Sequence, residues 1–180
     1  MKMIKKLRTI LKHKADINKY KKHCFANSFN WQWDKINYNR IALVNLLLNK
    51  FNDPRYLEIG CQENNLFNSV ATRHKVGVDP IRGGNRKMTS DVFFASNKEM
   101  FDVIFVDGLH TYQQVRKDII SSLHCVTAGG WIALHDMLPQ DWLEAHVPNI
   151  SIGAWTGDVW KIAFELCQTP GIDFRIIKIY

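Results

Sequence analysis

Two apolar runs in this chain end abruptly in residues that carry charge or a proton. Phe101-Asp-Val-Ile-Phe-Val106 leads into Asp107 and His110, and Gly129-Gly-Trp-Ile-Ala-Leu134 leads into His135 and Asp136. Neither run alternates apolar with polar residues as a half-exposed strand does. Both read as strands buried on two faces, the mark of a parallel sheet. Between them, Tyr112, Val115, Ile119 and Leu123 fall on one helical stripe. The unit is strand, helix, strand.

The same reading extends in both directions. Upstream it predicts a basic amphipathic helix over 2–13, an irregular aromatic segment through residue 33, and a helix over 37–50. That helix stops at Asp53-Pro54, because the residue before a proline avoids the helical region. A strand over 56–60, a helix over 64–74, a strand over 75–79 halted by Pro80, a turn at 82–85 and a short helix over 90–95 follow. Downstream come a loop over 137–154, a helix through 167 and a last strand over 172–179. Strands alternating with helices predict an α/β fold, a Rossmann-like doubly wound and mostly parallel sheet with helices on both faces. Residues 1–34 form a basic helix and aromatic arm, and 35–180 form the Rossmann-like domain.

Composition narrows the class. At 180 residues with 46% hydrophobic side chains and six Trp, the chain makes a globular domain rather than a disordered segment. Cys24, Cys61, Cys125 and Cys167 show no metal-like or paired spacing and read as free thiols of a reducing, cytoplasmic compartment. The net charge of +7 suggests a polyanionic partner until its distribution is considered. Residues 1–22 hold nine Lys or Arg against one Asp, and the rest hold 15 basic and 16 acidic side chains. The surplus belongs to the arm, so the catalytic region has no basic groove for nucleic acid. The arm itself reads as a helix that packs its apolar stripe on the domain, or that lies on an anionic membrane surface or a phosphate-rich partner.

The chemistry gathers at strand ends, where ligands bind in open α/β sheets. Glu58 and Gly60 close the first strand and Asp79 the second. An acid at the end of a second strand hydrogen-bonds a ribose diol in nucleotide-binding folds, since a carboxylate accepts from two hydroxyls at once. Before Pro80 it also suits a turn. Gly60 is followed by Cys-Gln-Glu-Asn-Asn rather than a glycine-rich turn, which argues against a pyrophosphate cofactor. His110 stands where an imidazole takes a proton from a substrate hydroxyl, or where it braces the loop at the helix start that Thr111 and Gln114 mark as a capping box.

Taken together, Tyr56-Leu-Glu-Ile-Gly60, Val76-Gly-Val-Asp79-Pro80, Thr89-Ser-Asp-Val-Phe-Phe94, Asp107-Gly-Leu-His110-Thr-Tyr112, Gly130-Trp-Ile-Ala-Leu-His-Asp136 and Trp155-Thr-Gly-Asp158-Val-Trp160-Lys161 resemble class I S-adenosylmethionine-dependent methyltransferases. They look most like the small branch that accompanies sugar and glycan biosynthesis. The resemblance runs over 39–167. It implies methyl transfer from S-adenosylmethionine to a hydroxyl of a small acceptor, a sugar or glycan precursor. It places Glu58 and Gly60 beside the methionine moiety, Asp79 on the ribose, and Ser90 with Asp91 on the adenine side. It makes His110 the general base with Asp107 as its catalytic companion. It also implies a divalent cation, Mg or Mn, on Asp107, His135 and Asp136. His135 departs from the usual acid there and shifts the preference from Mg toward Mn, Fe or Zn.

The resemblance also exposes a gap. Such sheets finish with two strands, and here only 172–179 remains, either docked beside the Trp131 strand or leaving an edge for a second copy to cover, as in a homo-oligomer. The shortened sheet and missing glycines leave a second reading: a degenerate fold that binds cofactor or partner without turnover. Trp31, Trp33 and Trp142 either stack on a sugar or cover the core, and Trp155 with Trp160 reads as helical core.

Overall fold

The computed structural model describes residues 2–24 and 27–179, with the Trp33 side chain outside the description. Phe25, the first residue of the aromatic segment, lies outside the described residues.

Four parallel strands form one sheet: β1 (Arg55–Ile59), β2 (His74–Val78), β3 (Phe101–Val106) and β4 (Val126–Leu134). Their order is β2-β1-β3-β4. The helices are α1 (Lys2–Tyr20), α2 (Arg40–Leu48), α3 (Asn65–Ser69), α4 (Ser90–Ser96), α5 (Tyr112–Leu123), α6 (Trp142–Ala145) and α7 (Ile162–Gln168). This is the Rossmann-like arrangement that the apolar runs predict. The burial of β3 explains why its run carries no polar alternation. By contrast, β4 is the outer strand of the sheet and none of its residues is fully buried, so the reading of 129–134 as buried on both faces does not hold.

Two cores sandwich the sheet. Leu57, Ile59, Val78, Ile104, Val106, Val115 and Ile119 pack with α4 and α5 on one face. Val44, Leu48, Tyr56, Leu66, Phe67, Val103 and Phe105 pack with α2 and α3 on the other. Because β1 is flanked by β2 on one side and β3 on the other, strand order reverses between β1 and β3. That reversal opens a crevice above their carboxyl ends, the place where this architecture binds ligands.

Several boundaries differ from expectation. The α1 helix runs to Tyr20 rather than ending near residue 13, since no Gly or Pro interrupts it. Its apolar stripe does not pack on the domain, for Met3, Ile4, Leu7 and Leu11 are all exposed. Trp155 is not helical. The chain reaches α7 only after Gly157, which at φ 63° lets the loop sit on the His110 backbone, where a Cβ would lie 1.7 Å from the His110 carbonyl oxygen. The expected last strand over 172–179 makes no ladder with the sheet. Alternating Ile and Phe supply β-propensity, but propensity alone does not pair the segment with the open edge of β4. Docking of this segment beside Trp131 is therefore not what the chain does. The outer edge of β4 carries no further strand among the described residues, and Trp131 is 42% exposed under the Lys50 ammonium.

Candidate functional site

The crevice between β1 and β3 is lined by Arg40, Glu58, Gly60, Gln62, Phe105 and Asp107, among others. Gly60, at φ 84°, is required by close approach. A Cβ there would lie 2.0 Å from the Asp107 carbonyl oxygen, so the turn after β1 and the loop after β3 touch only because this residue is glycine. Glu58 is 2% exposed and accepts a 2.6 Å hydrogen bond from the Tyr56 hydroxyl. Burial pushes its carboxyl up to about 7, against the Tyr56 bond that favours ionisation.

Asp79 is the organiser of the neighbouring loops. One carboxylate oxygen accepts from the backbone N–H groups of Cys61 and Gln62 at 3.1 and 3.0 Å, and the other from Ile81 and Arg82 at 2.8 Å each. Burial alone would raise its pKa. The four donors outweigh burial and hold it below the usual carboxylate range. The turn-forming role of an acid before Pro80 is thus met in full, and it fixes the loop that follows Gly60.

Ser90 and Asp91 start α4, with Thr89 as the N-cap. Both accept from the Gln114 side chain, at 3.2 and 2.9 Å, and the same amide reaches Asp118 at 3.1 Å. Thr111 caps α5 by accepting from the Gln114 N–H. Gln114, however, does not reach back to complete a capping box, because its amide is spent on this α4–α5 contact. Asp118 was not singled out from the sequence although it is 1% exposed. The signal was present: an acid on the same helical arc as Val115, Ile119 and Ser122.

The strand ends of β3 and β4 bring four titratable side chains together. His110 Nε2 lies 3.3 Å from Asp107 Oδ1, and His110 Nδ1 lies 3.1 Å from Asp136 Oδ2 and 2.9 Å from the Trp155 carbonyl. A carbonyl only accepts, so Nδ1 carries a proton and Nε2 is the atom free to exchange one. Burial alone would lower the His110 pKa, and the two carboxylates raise it. His135 Nδ1 lies 3.3 Å from Asp107 and 3.0 Å from Asp136, yet neither oxygen sits where its N–H would point, leaving this buried nitrogen without a directed hydrogen bond. The carboxylates also raise the His135 pKa, against burial. Asp136 reaches this cluster from a left-handed backbone, φ 59°, a conformation Asp tolerates better than most residues.

Arg40, at the start of α2, stands 3.8 Å from Asp107 and 3.4 Å from His135 Nε2. It was missed because nothing in its local sequence distinguishes it. Trp155 stacks on His110 with ring centroids 5.3 Å apart and donates from its indole to the His146 carbonyl. Asp158 accepts from the N–H of Tyr112, the first residue of α5, at 2.6 Å. Trp31 stacks on Phe29 and donates to the Pro139 carbonyl, and Trp142 meets His146 edge-on. The aromatic segment thus packs on the loop after β4. Trp160 pairs edge-on with Phe164 at the start of α7.

Asp107, His110 and Asp136 bring potential ligand atoms within 4.8 Å of one another. Two carboxylates with an imidazole suit Mn, Fe or Zn better than Mg.

A family model described as a methyltransferase domain matches residues 27–137, which take in all four strand ends and the whole of this cluster. No curated protein and no solved structure matches the chain.

Proposed function

The chain belongs to the methyltransferase-domain family, and from that premise we propose that it moves a methyl group from S-adenosylmethionine to a hydroxyl of a small acceptor, a sugar or glycan precursor. The observation that carries the reading is the adjacency of two features. The β1–β3 crevice holds Glu58 and Gly60, and an acid–imidazole cluster opens beside it at Asp107.

The cofactor, when bound, supplies an electrophilic methyl sulfonium. Gly60 and Glu58 face its methionine end, the loop fixed by Asp79 faces its ribose, and Ser90 with Asp91 stands on the adenine side. His110 takes the acceptor proton at Nε2, while the Trp155 carbonyl holds its other nitrogen and so sets the tautomer. Asp107 steadies the imidazole as it becomes charged. Most of the acceleration in such a transfer comes from holding donor and acceptor in line. A divalent cation would be held by Asp107 and Asp136, with the His135 nitrogen that lacks a directed hydrogen bond as third ligand. The ligand atoms within 4.8 Å of one another are those of Asp107, His110 and Asp136, so His135 would have to turn toward the ion. Bound there, it would polarise the acceptor oxygen. This assignment leaves His110 free for the proton, since one nitrogen cannot bind a cation and accept a proton together.

A second reading, cofactor or partner binding without turnover, is favoured by two observations. Asp79 spends all four of its bonds on backbone, and Arg40 already neutralises part of the Asp107 charge. Incubation with methyl-labelled S-adenosylmethionine and a panel of free and nucleotide-linked sugars separates the two. Label transfer to a sugar hydroxyl that Mn stimulates supports the enzyme. Cofactor binding with no transfer to any member of the panel supports the second reading.

A further inference from the structure

The α1 helix carries seven Lys or Arg and one Asp. Its contacts with the domain come from one arc. His13 Nδ1 lies 2.9 Å from the Ile150 carbonyl, the Tyr20 ring lies 4.4 Å from that of His146, and Ile10, Asp16 and Ile17 are half-buried. A neighbouring arc is apolar and uncovered: Met3 is 74% exposed, Ile4 58%, Leu7 52% and Leu11 62%. Helical spacing places Lys5, Arg8, Lys12 and Lys19 along the remaining side, with Lys2 and Lys6 on the exposed N-terminal end of the docked arc. Among the described residues no helix is long and apolar enough to cross a membrane. At about 1.5 Å per residue its apolar stripe from Met3 to Leu11 is roughly 12 Å long.

We propose that α1 seats the protein on an anionic membrane surface, with Met3, Ile4, Leu7 and Leu11 in the interfacial layer and the lysines among the headgroups. Charge selects this occupant over the others. A second copy of the helix would set like charges side by side. A polyanion would engage the lysines but leave four large apolar side chains in water. An anionic bilayer satisfies both faces, which is how helices with an apolar arc and a basic arc bind interfaces. The docked arc is separate from the apolar one, so seating does not require the helix to leave the domain. The inference does not depend on the methyl-transfer reading.

The test is sedimentation of the full chain with vesicles of phosphatidylcholine alone and of phosphatidylcholine with phosphatidylserine. Retention on the anionic vesicles only, weakening as salt rises, is expected. The double variant Leu7→Glu, Leu11→Glu should lose at least about tenfold in affinity, and Lys5→Ala or Lys12→Ala about fivefold each. All four side chains are exposed, so the far-ultraviolet circular dichroism and melting temperature should stay as in the parent protein. Absence of retention on anionic vesicles overturns the proposal. So does heparin retention that survives the Leu7→Glu, Leu11→Glu change without vesicle binding, which would assign the helix to a polyanion. A solution dimer that the same change dissociates, again without vesicle binding, would assign it to a second copy.

Discussion

Replacing Asp79 with Asn removes the charge that holds two loops at the carboxyl edge of the sheet. The carboxylate accepts four backbone N–H bonds at 2.8 to 3.1 Å while 7% exposed. Asn keeps one acceptor oxygen. The oxygen should stay with Cys61 and Gln62, because Cys61 is buried. Ile81 and Arg82 are exposed, so their N–H groups fall back on solvent. Two charge-assisted bonds become neutral and two are exchanged for water, which together cost about 2–3 kcal/mol. For a chain of this length that lowers the melting temperature by roughly 4–12 °C. Urea denaturation of both proteins at neutral pH measures the gap. The gap should also close in acid. The folded pKa of Asp79 lies below its unfolded value, so its contribution is present above the unfolded pKa and is lost as pH falls through the folded one. Equal stability at neutral pH would refute the structural role. Weakened cofactor binding with unchanged stability would show that the carboxylate acts on the ribose and not on the loops.

Other expectations follow from the same geometry. Glu58 has its folded pKa raised to about 7, so its ionisation costs stability as pH rises from the unfolded value through 7. Glu58→Gln should therefore gain on the parent protein by about 3 kcal/mol between acidic and mildly alkaline solution, and a pH-independent difference in urea midpoints would contradict the burial argument. Iodoacetamide should label Cys167 first, since it is exposed, and spare Cys61, whose thiol pKa is pushed up by burial and then by Glu58 and Asp79. Mass spectrometry showing Cys61 labelled first would mean that the crevice opens far more than its packing allows. His110→Ala should lower turnover by about 10²–10⁴ with cofactor affinity nearly kept. Normal turnover with a lower melting temperature would make His110 a brace for the Trp155 loop.

The sheet was legible because β3 is buried on both faces and so lacks polar alternation. The abrupt charged endings of the β3 and β4 runs marked the functional edge, although β4 itself lies at the half-exposed edge of the sheet. What sequence could not carry was long-range. Asp79 reads as a ribose acid or as a turn former, and only the fold shows Cys61 and Gln62 brought to it from β1. Arg40 enters the cluster through the docking of α2, with no local pattern to mark it. The helix expected from Trp155 begins later because Gly157 lets that loop lie on His110, a contact between residues 47 positions apart in the chain. The alternation in 172–179 announces a strand, but the partner edge such a segment needs lies outside any local pattern. Asp118 was legible in principle, as an acid on an apolar helical arc, and its role linking α4 to α5 explains why it is there.

Calorimetric titration with S-adenosylmethionine and with S-adenosylhomocysteine, each with and without Mn, tests the central claim most directly. Saturable one-to-one binding of both is expected, little changed in His110→Ala, which lies at the acceptor side, and weakened by Glu58→Gln in the crevice. No heat from either ligand under any of these conditions would contradict the assignment of the β1–β3 crevice to this cofactor.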